Sequence, residues 1–169
     1  MFPIVLDTKT IHFILIGNGP LIEKRRAQLA EYGAVHLKLF HSMPEIEELK
    51  KAHIVYVADL PLPQAEEIAA ACRDLGVLVN VEDVMHLCDF HTPSVIRRGD
   101  LLLSVSTGGK SPGLAKRLRE YLSHLFGPEW NERLEDLAQK RLQWRAEGLD
   151  LKKVAANTDE YIEKKKWLA

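Results

Sequence analysis

The stretch Val77–Arg119 reads VLVNVEDVMHLCDFHTPSVIRRGDLLLSVSTGGKSPGLAKRLR, and the rest of the chain is organised around it. Its two apolar runs, Val77–Val81 and Leu101–Val105, have the length and continuity of buried strands. Each run ends on polar residues, and the second leads through a Gly-Gly turn into a basic helix. Because backbone N–H groups at the start of a helix attract anions, this order of strand, polar turn and helix predicts a ligand-binding edge.

The composition indicates an ordinary soluble domain. The 169 residues are 46% hydrophobic and 28% charged, which is enough for one full core with or without a small appendage. A net charge of −1 offers no electrostatic argument for nucleic acid or an anionic membrane as a partner. No apolar run approaches the roughly 20 residues that span a bilayer, and the first residues lack the pattern of a secretory signal. Cys72 and Cys88 have no CxxC spacing, so we expect a reduced, cytoplasmic protein without a zinc site or disulfide framework.

Upstream of the opening stretch, short apolar runs alternate with helical patterns. The runs predict strands at Ile11–Ile16, Val35–Phe40 and His53–Ala58, with a fourth strand at Val77–Val81. Between them we predict helices from Pro20 to Tyr32, over Met43–Lys51 and over Gln64–Leu75. This alternation predicts α/β architecture with βαβ units, right-handed crossovers and a parallel sheet.

After Phe90 the pattern changes from strands to helices. His91–Arg98 is interpreted as a short linking segment before the strand at Leu101–Val105. Helices are predicted over Pro112–Phe126, Glu129–Glu147 and Leu151–Trp167. The amphipathic charged pattern of the last part predicts a small helical subdomain that packs on its own apolar stripe.

The turn Gly17-Asn18-Gly19 follows the first strand and precedes a helix, which is the position of a dinucleotide phosphate turn. In the pattern GxGxxG the third small residue would fall on Ile22, and the second strand ends in Phe40-His41-Ser42 without an acid for a ribose hydroxyl. The pattern alone leaves two interpretations open: a dinucleotide-binding turn and a plain strand-to-helix turn.

Two groups of polar residues follow the fourth strand. Glu82 and Asp83 lie at its carboxyl end, where a carboxylate could move a proton, coordinate a metal or cap the next turn. His86 and His91 flank Cys88-Asp89, but their spacing fits no closed metal site. We therefore interpret these histidines as surface or packing residues and predict no metal site.

Basic residues gather around the Gly-Gly turn. They are Arg97, Arg98, Lys110, Lys116, Arg117 and Arg119. Arginine pairs well with carboxylates and phosphates, so the cluster predicts a ligand that carries several such groups. For Lys116 and Arg119 a solvated helix face is the favoured interpretation.

Four motifs together resemble the siroheme-synthesis family. They are Asn80-Val81-Glu82-Asp83, Cys88-Asp89-Phe90, Pro93-Ser94-Val95-Ile96 and the run SVSTGGKSPGLAKRLR at 104–119. Members of this family are NAD-dependent precorrin-2 dehydrogenases, and some also insert Fe²⁺ into sirohydrochlorin. The resemblance covers residues 1 to about 125 and is looser in the helical tail.

The resemblance implies roles for particular residues. Asp83 falls on the catalytic aspartate of the family, which would act as a general acid/base. The resemblance places NAD at the first turn, over Gly17, Asn18 and Gly19, and at the pairs Pro20-Leu21 and His41-Ser42. Its tetrapyrrole substrate, precorrin-2, would meet Asn80, Arg97, Arg98 and the turn Ser106, Thr107, Gly108, Gly109 and Lys110.

The resemblance also implies a homodimer in three parts. These are a Rossmann-like NAD-binding domain over 1–90, a dimerisation segment over 91–125 that carries the tetrapyrrole turn, and a helical domain over 126–169. The chain departs from the family on the cofactor side: Asn18 interrupts the glycines, Leu21-Ile22 replaces a Val-Ala pair, and Ala58-Asp59-Leu60-Pro61 replaces a run of the type A-T-D-D. The segment between the second and third strands is also short.

Two other functions stay open at this point. One is a tetrapyrrole-binding chelatase or carrier that has lost the NAD-dependent reaction. The other is a nucleotide-binding regulatory protein on the same fold, since a fold by itself does not fix a function.

Overall fold

The computed structural model describes residues 2–168. The chain forms two compact units, one that ends at Thr92 and a second that begins at Pro93. The first unit contains a parallel sheet with helices, and the second contains a strand hairpin followed by helices. No helix in the described part of the chain is both long and apolar enough to cross a membrane.

The first unit is built on four parallel strands, which confirms the predicted α/β class with a Rossmann-like sheet. The strands are β1 (His12–Ile16), β2 (His36–Phe40), β3 (Ile54–Val57) and β4 (Leu78–Val81), and they lie in the order β2-β1-β3-β4. The helices between them are α1 (Pro20–Glu31), α2 (Ile46–Leu49) and α3 (Leu62–Asp74). The chain turns to one side of β1 after α1 and to the other side after α2, so the strand order reverses between β1 and β3. In open α/β sheets, ligands bind at the carboxyl ends of the strands next to this reversal.

The sheet is covered on both faces, as its near-continuous apolar strands predict. Successive residues of a strand point to opposite faces. Leu15 of β1 packs with Ile22 and Leu29 of α1 on one face. Ile16 packs on the other face with Ile68 and other buried side chains of α3. Each of these side chains is buried, so the α1 and α3 faces fix the positions of the strand ends.

The outer edge of β4 is closed by Asp89. The Asp89 N–H donates to the carbonyl oxygen of Val79 at 2.8 Å, and the Val79 N–H donates to Asp89 Oδ2 at 3.0 Å. Arg73 Nε of α3 donates to Asp89 Oδ1 at 3.0 Å. One acidic residue thus satisfies both backbone groups of Val79, in place of a further strand.

The second unit begins with a hairpin that the sequence interpretation missed. Residues His91–Arg98 were predicted as a link, but Ser94–Arg98 forms strand β5, which pairs antiparallel with β6 (Leu101–Val105). The turn between them is Gly99-Asp100, with Gly99 at φ 59°. The prediction was wrong because a two-residue turn of this composition joins hairpin strands even where one strand is short and partly charged.

Three helices complete the second unit and confirm the predicted helical part. They are α4 (Pro112–Leu125), α5 (Trp130–Ala146) and α6 (Leu151–Lys165). Helix α4 packs on the hairpin, and α5 packs on α6. Tyr161 of α6 donates its hydroxyl to Asp136 of α5 at 2.7 Å, and the rings of Trp144 and Trp167 lie against Tyr161.

Candidate functional site

The candidate site lies at the carboxyl edge of the parallel sheet, where β1 meets β2 and β3. Gly17 follows β1 directly and donates its N–H to the carbonyl oxygen of Phe40 at 2.9 Å. His41 Nδ1 lies 3.2 Å from the carbonyl oxygen of Gly17. A Cβ atom at residue 17 would collide with the carbonyl oxygen of Ala58. Only glycine fits here, so the turn after β1 is held tightly between its two neighbours.

The same turn leads into the N-terminus of α1, where the carboxylate of Asp59 accepts two backbone N–H groups. The N–H groups of Leu21 and Ile22 both donate to Asp59 Oδ2, at 2.8 and 3.0 Å. A cavity of about 220 Å³ opens beside them. Helix N-termini bind phosphate through such N–H groups. The Asp59 carboxylate takes these two donors, so the start of α1 has the backbone N–H groups that an anion-binding helix start requires.

Most of the predicted cofactor residues come together at this cavity. Its lining includes Gly17, Asn18, Gly19, Pro20 and His41, and Leu21 contributes the N–H group described above. Ser42 follows His41 at the end of β2 on the exposed surface and does not line this cavity.

Asp59 is the residue that the sequence interpretation missed as a member of the site. In the sequence, Asp59 stood out only because its run departs from the A-T-D-D type. The residue that donates to it, Leu21, lies 38 positions earlier in the chain. Its backbone is in the left-handed region, at φ 56°.

The structure separates the two acids that follow β4. Glu82 Oε2 accepts from Arg25 Nη2 at 2.8 Å, and this guanidinium also lies over the ring of Tyr56. Asp83 is exposed, on a left-handed backbone at φ 62°, and its carboxylate has no hydrogen bond to any residue within 2–168. Glu82 is therefore committed to a salt bridge, whereas the carboxylate of Asp83 is available to a substrate.

Asn80 is buried within β4 and bonded to its own chain. Its side-chain Nδ2 donates to the carbonyl oxygen of Phe90 at 2.8 Å and lies 3.4 Å from Cys88 Sγ. Asn80 thus joins β4 to the segment that contains Cys88 and Phe90. A contact of Asn80 with substrate stays a prediction.

The segment around His86 and His91 has no metal geometry. Across residues 2–168, no group of three or more His, Cys, Asp or Glu side chains is arranged to hold a metal ion. Cys88 donates its thiol to the carbonyl oxygen of Val81 at 3.1 Å, and burial raises the pKa of this thiol. The thiol of Cys88 is therefore protonated and turned into the protein, where it is a poor metal ligand.

In the second unit, the predicted substrate turn Ser106, Thr107, Gly108, Gly109 and Lys110 connects β6 to α4. Gly108 and Gly109 have φ values of 62° and 79°, a conformation that favours glycine. Thr107 Oγ1 accepts from the Ser111 N–H and donates to the Ser111 carbonyl oxygen, both at 3.1 Å. Ser111 Oγ in turn accepts from the Leu114 N–H at 3.3 Å. The two hydroxyls close the turn and cap α4.

Of the two arginines on β5 that were predicted to bind substrate, Arg98 is bonded within its own unit. Its Nε donates to the carbonyl oxygen of Phe126 at 2.9 Å, and its Nη2 donates to Ser123 Oγ at 2.9 Å. Arg98 therefore ties the hairpin to α4. Arg97 and Lys110 are exposed, and their contact with substrate stays a prediction.

A parallel α/β sheet, with a glycine turn and an anion-binding helix start at its strand-order reversal, defines the Rossmann-like class of nucleotide-binding domains. Residues 36–94 match the protein family described as "Putative NAD(P)-binding", and residues 98–124 match "Sirohaem biosynthesis protein central". The chain belongs to the siroheme-synthesis family.

The similar proteins agree with this membership. A siroheme synthase of Methylococcus capsulatus is 52% identical over 136 residues, which are 69% of this chain and 29% of that protein. A siroheme synthase of Nitrosococcus oceani is 28% identical over 90% of this chain and 37% of its own length. The chain thus spans about a third of the length of these curated relatives. A solved structure titled "SirC, precorrin-2 dehydrogenase" has a TM-score of 0.73 at 20% identity, covering 100% of this chain and 93% of that one, and it has the same fold.

Proposed function

We propose that this chain catalyses the NAD-dependent dehydrogenation of precorrin-2 to sirohydrochlorin in siroheme biosynthesis. The observation that carries the proposal is the position of Asp83, an exposed and unpaired carboxylate, on the sheet edge that also holds the oxyanion-binding turn. The titles of the similar proteins, siroheme synthase and precorrin-2 dehydrogenase, support the same reaction.

The first turn is where NAD would be held. Gly17 and Gly19 permit close approach of a diphosphate, and the N–H groups of Leu21 and Ile22 are the donors for it. His41 and Ser42, which follow β2, would contact the nucleoside part of NAD. When bound, NAD supplies the hydride acceptor of the reaction.

Asp83 would handle the proton of the reaction. Dehydrogenation removes a hydride and a proton from neighbouring atoms of the substrate, so a base must accept the proton. Carboxylates serve as such bases when they can reach the reacting atom. Asp83 is exposed and has no hydrogen bond to the carboxylate from any residue within 2–168, whereas its neighbour Glu82 is held by Arg25.

The second unit offers groups for the carboxylates of a tetrapyrrole. Lys110 and Arg97 are exposed and basic, and the backbone turn at Gly108 and Gly109 presents polar groups to solvent. Carboxylates pair favourably with such cations. We assign Lys110, Arg97 and the Ser106–Gly109 turn to substrate binding. Arg98 serves this binding indirectly, because it holds β5 against α4.

We further propose that the protein is a homodimer. Helix α4 exposes an apolar stripe made of Leu114, Leu118, Tyr121 and Leu125, each 40% or more exposed. Their spacing of three and four residues puts them on one helix face, and such a face is normally covered by a partner. Sedimentation should give a dimer for the wild type and a monomer for Leu118→Arg. The control Glu120→Gln, which leaves the stripe intact, should remain a dimer, and a monomeric wild type would contradict the assignment.

A cytoplasmic location is part of the proposal. Cys72 and Cys88 are free thiols, and burial raises the pKa of Cys72 to about 12. Free cysteines are typical of reducing compartments. Cell fractionation with an antibody against the chain tests this location.

The alternative function is a tetrapyrrole chelatase or carrier that inserts Fe²⁺ or delivers its ligand without NAD. One observation favours it: the donors of the nucleotide turn already hold the Asp59 carboxylate. Fe²⁺ insertion into sirohydrochlorin without NADH formation from precorrin-2 would select this alternative.

The test of the main proposal is the Asp83→Asn variant, assayed by NADH formation from NAD⁺ and precorrin-2. Asparagine tolerates the left-handed backbone, so the fold should be retained. We expect the rate to fall by about 10²–10⁴-fold, the usual size of a lost general base. The control Asp100→Asn, in the exposed β5–β6 turn, should keep the wild-type rate. A fully active Asp83→Asn variant would overturn the role of Asp83.

A further inference from the structure

Asp59 occupies the place where an external anion would bind. It lies two residues after the end of β3, and its Oδ2 accepts the N–H groups of Leu21 and Ile22 at 2.8 and 3.0 Å. These are the second and third residues of α1, whose N–H groups lack partners within the helix. A side chain from the loop after the neighbouring strand β3 therefore supplies the acceptor that the helix itself lacks.

Within the first helical turn of α1, residues 20–23, two N–H groups are left for an acceptor from outside the helix. Pro20 has no N–H, and the N–H of Glu23 donates to the carbonyl oxygen of Gly19 at 3.3 Å. The remaining two donors of the turn are the two that Asp59 accepts. A nucleotide diphosphate bound at this helix start would compete with Asp59 for the same two N–H groups and would carry the same sign of charge, so the two anions exclude each other there.

The carboxylate also fills the space next to Gly19. A Cβ atom placed on residue 19 would lie 2.6 Å from Asp59 Cγ and 2.8 Å from Asp59 Oδ2. The glycine at this position thus makes room for the carboxylate, as it would for a phosphate. Asp59 is exposed, so its side chain can turn outward into water without burying its charge.

We propose that Asp59 is an internal competitor for the anion site of α1, and that a nucleotide diphosphate binds only after the Asp59 carboxylate has left the N–H groups of Leu21 and Ile22. Asp59 then sets the affinity of the chain for its cofactor. This inference rests on the proposed function for the identity of the ligand, NAD. It does not rest on that function for the competition itself, which any diphosphate should reveal.

The experiment measures binding by calorimetry with two probes, NAD⁺ and inorganic pyrophosphate. The variants are Asp59→Asn, which removes the charge, and Asp59→Gly, which removes the side chain; both residues tolerate the left-handed backbone. Each should bind both probes about ten-fold more tightly than the wild type, the size expected when a charged partner at a helix N-terminus is removed. Adenosine, which has no phosphate, should bind the variants and the wild type equally.

The matched control is Glu23→Gln. Glu23 lines the same cavity and carries the same charge, but it pairs with Arg26 at 2.8 Å and does not accept from the two N–H groups. Its loss should change the affinity for pyrophosphate by about two-fold at most, because exposed charges are screened. An effect as large as that of Asp59→Asn would overturn direct competition.

The outcomes separate this inference from the proposed function. If pyrophosphate binds Asp59→Asn more tightly while NAD⁺ binds neither protein, the competition stands and NAD is the wrong ligand. If the wild type forms NADH from precorrin-2 and neither Asp59 variant binds either probe more tightly, the inference fails and the proposed function stands. Circular dichroism establishes that each variant is folded. Faster hydrogen exchange confined to the amides of Leu21 and Ile22 in Asp59→Gly would support the inference, and unchanged exchange there would contradict it.

Discussion

Two helices of this protein begin in the same way, yet their first turns are stabilised differently. Both α1 and α4 follow a strand and a glycine turn, and both have proline as their first residue. Helix α4 is capped by Ser111, the residue immediately before it. Helix α1 has Gly19 in that position and takes its acceptor from Asp59, which lies far along the chain in the loop after β3.

The difference is whether the acceptor at the start of the helix belongs to the same turn or can be exchanged for another anion. The hydroxyls of Ser111 and Thr107 are bonded to backbone groups of their own turn and of the helix that it begins. The carboxylate of Asp59 comes from a separate segment and can be replaced by another anion without unfolding the turn. The same local pattern of strand, glycine turn and proline therefore supports a fixed helix cap at α4 and an exchangeable acceptor at α1.

The largest effect on this comparison is expected from Gly17→Ala. The new Cβ would meet the backbone of Ala58, which cannot move without shifting β3. We expect the free energy of unfolding to fall by about 3 kcal/mol, as for severe overpacking. Urea unfolding followed by circular dichroism measures it, and wild-type stability would show that the first turn is looser than described.

A smaller effect should follow from Asp59→Ala. The variant loses the acceptor at the start of α1, worth about 1 kcal/mol, and keeps a left-handed backbone that costs alanine about 1 kcal/mol more. The free energy of unfolding should therefore fall by about 2 kcal/mol in urea titrations. Asp59→Asn, which tolerates the backbone, should lose less than half of this. Equal losses in the two variants would contradict the role of the backbone.

Ser111→Ala tests the closed turn. It removes the cap of α4 and should lower the free energy of unfolding of the second unit by about 1 kcal/mol. Trp130, Trp144 and Trp167 all lie in this unit, so tryptophan fluorescence reports its unfolding. Ser111→Thr, which keeps a hydroxyl, should recover most of the loss. No recovery would indicate that Ser111 acts through something other than its hydroxyl.

The smallest effect has the opposite sign. Gly113 lies in the first turn of α4, and a Cβ atom there would meet nothing within 4 Å. Gly113→Ala should raise the stability of the second unit by about 0.5 kcal/mol, because alanine loses less entropy in a helix. Gly17→Ala and Gly113→Ala should therefore change the free energy of unfolding in opposite directions in the same urea protocol. A loss of stability in Gly113→Ala would contradict the open space around this residue.

The sequence allowed much of the fold to be predicted, because strands and helices leave local patterns. The runs that became β1 to β4 were readable as strands: the first is apolar enough to be buried on both faces, and the second alternates and is partly exposed. Strand β5 was missed although its Gly99-Asp100 turn is a known hairpin pattern, since Ser94 and two arginines gave the run little apolar character.

The candidate site was less predictable, because its decisive contacts join distant residues. No local pattern indicates that the carboxylate of Asp59 meets α1, or that Arg25 rather than solvent faces Glu82. Basic residues stand on both sides of the Gly-Gly turn in the sequence, but no local pattern indicates that Arg98 is bonded to Phe126 and Ser123. Such pairings depend on the packing of the whole unit, so only a structure reveals them.

The cover that Asp89 gives to β4 bears on how the protein behaves at high concentration. A sheet with an open edge can recruit strands from other molecules and seed aggregates. Here both backbone groups of Val79 are already bonded, and the side chain that bonds them is ionic and fixed by Arg73. A foreign strand would have to break these bonds before it could add at this position. With this one residue, the protein protects part of its sheet edge from self-association.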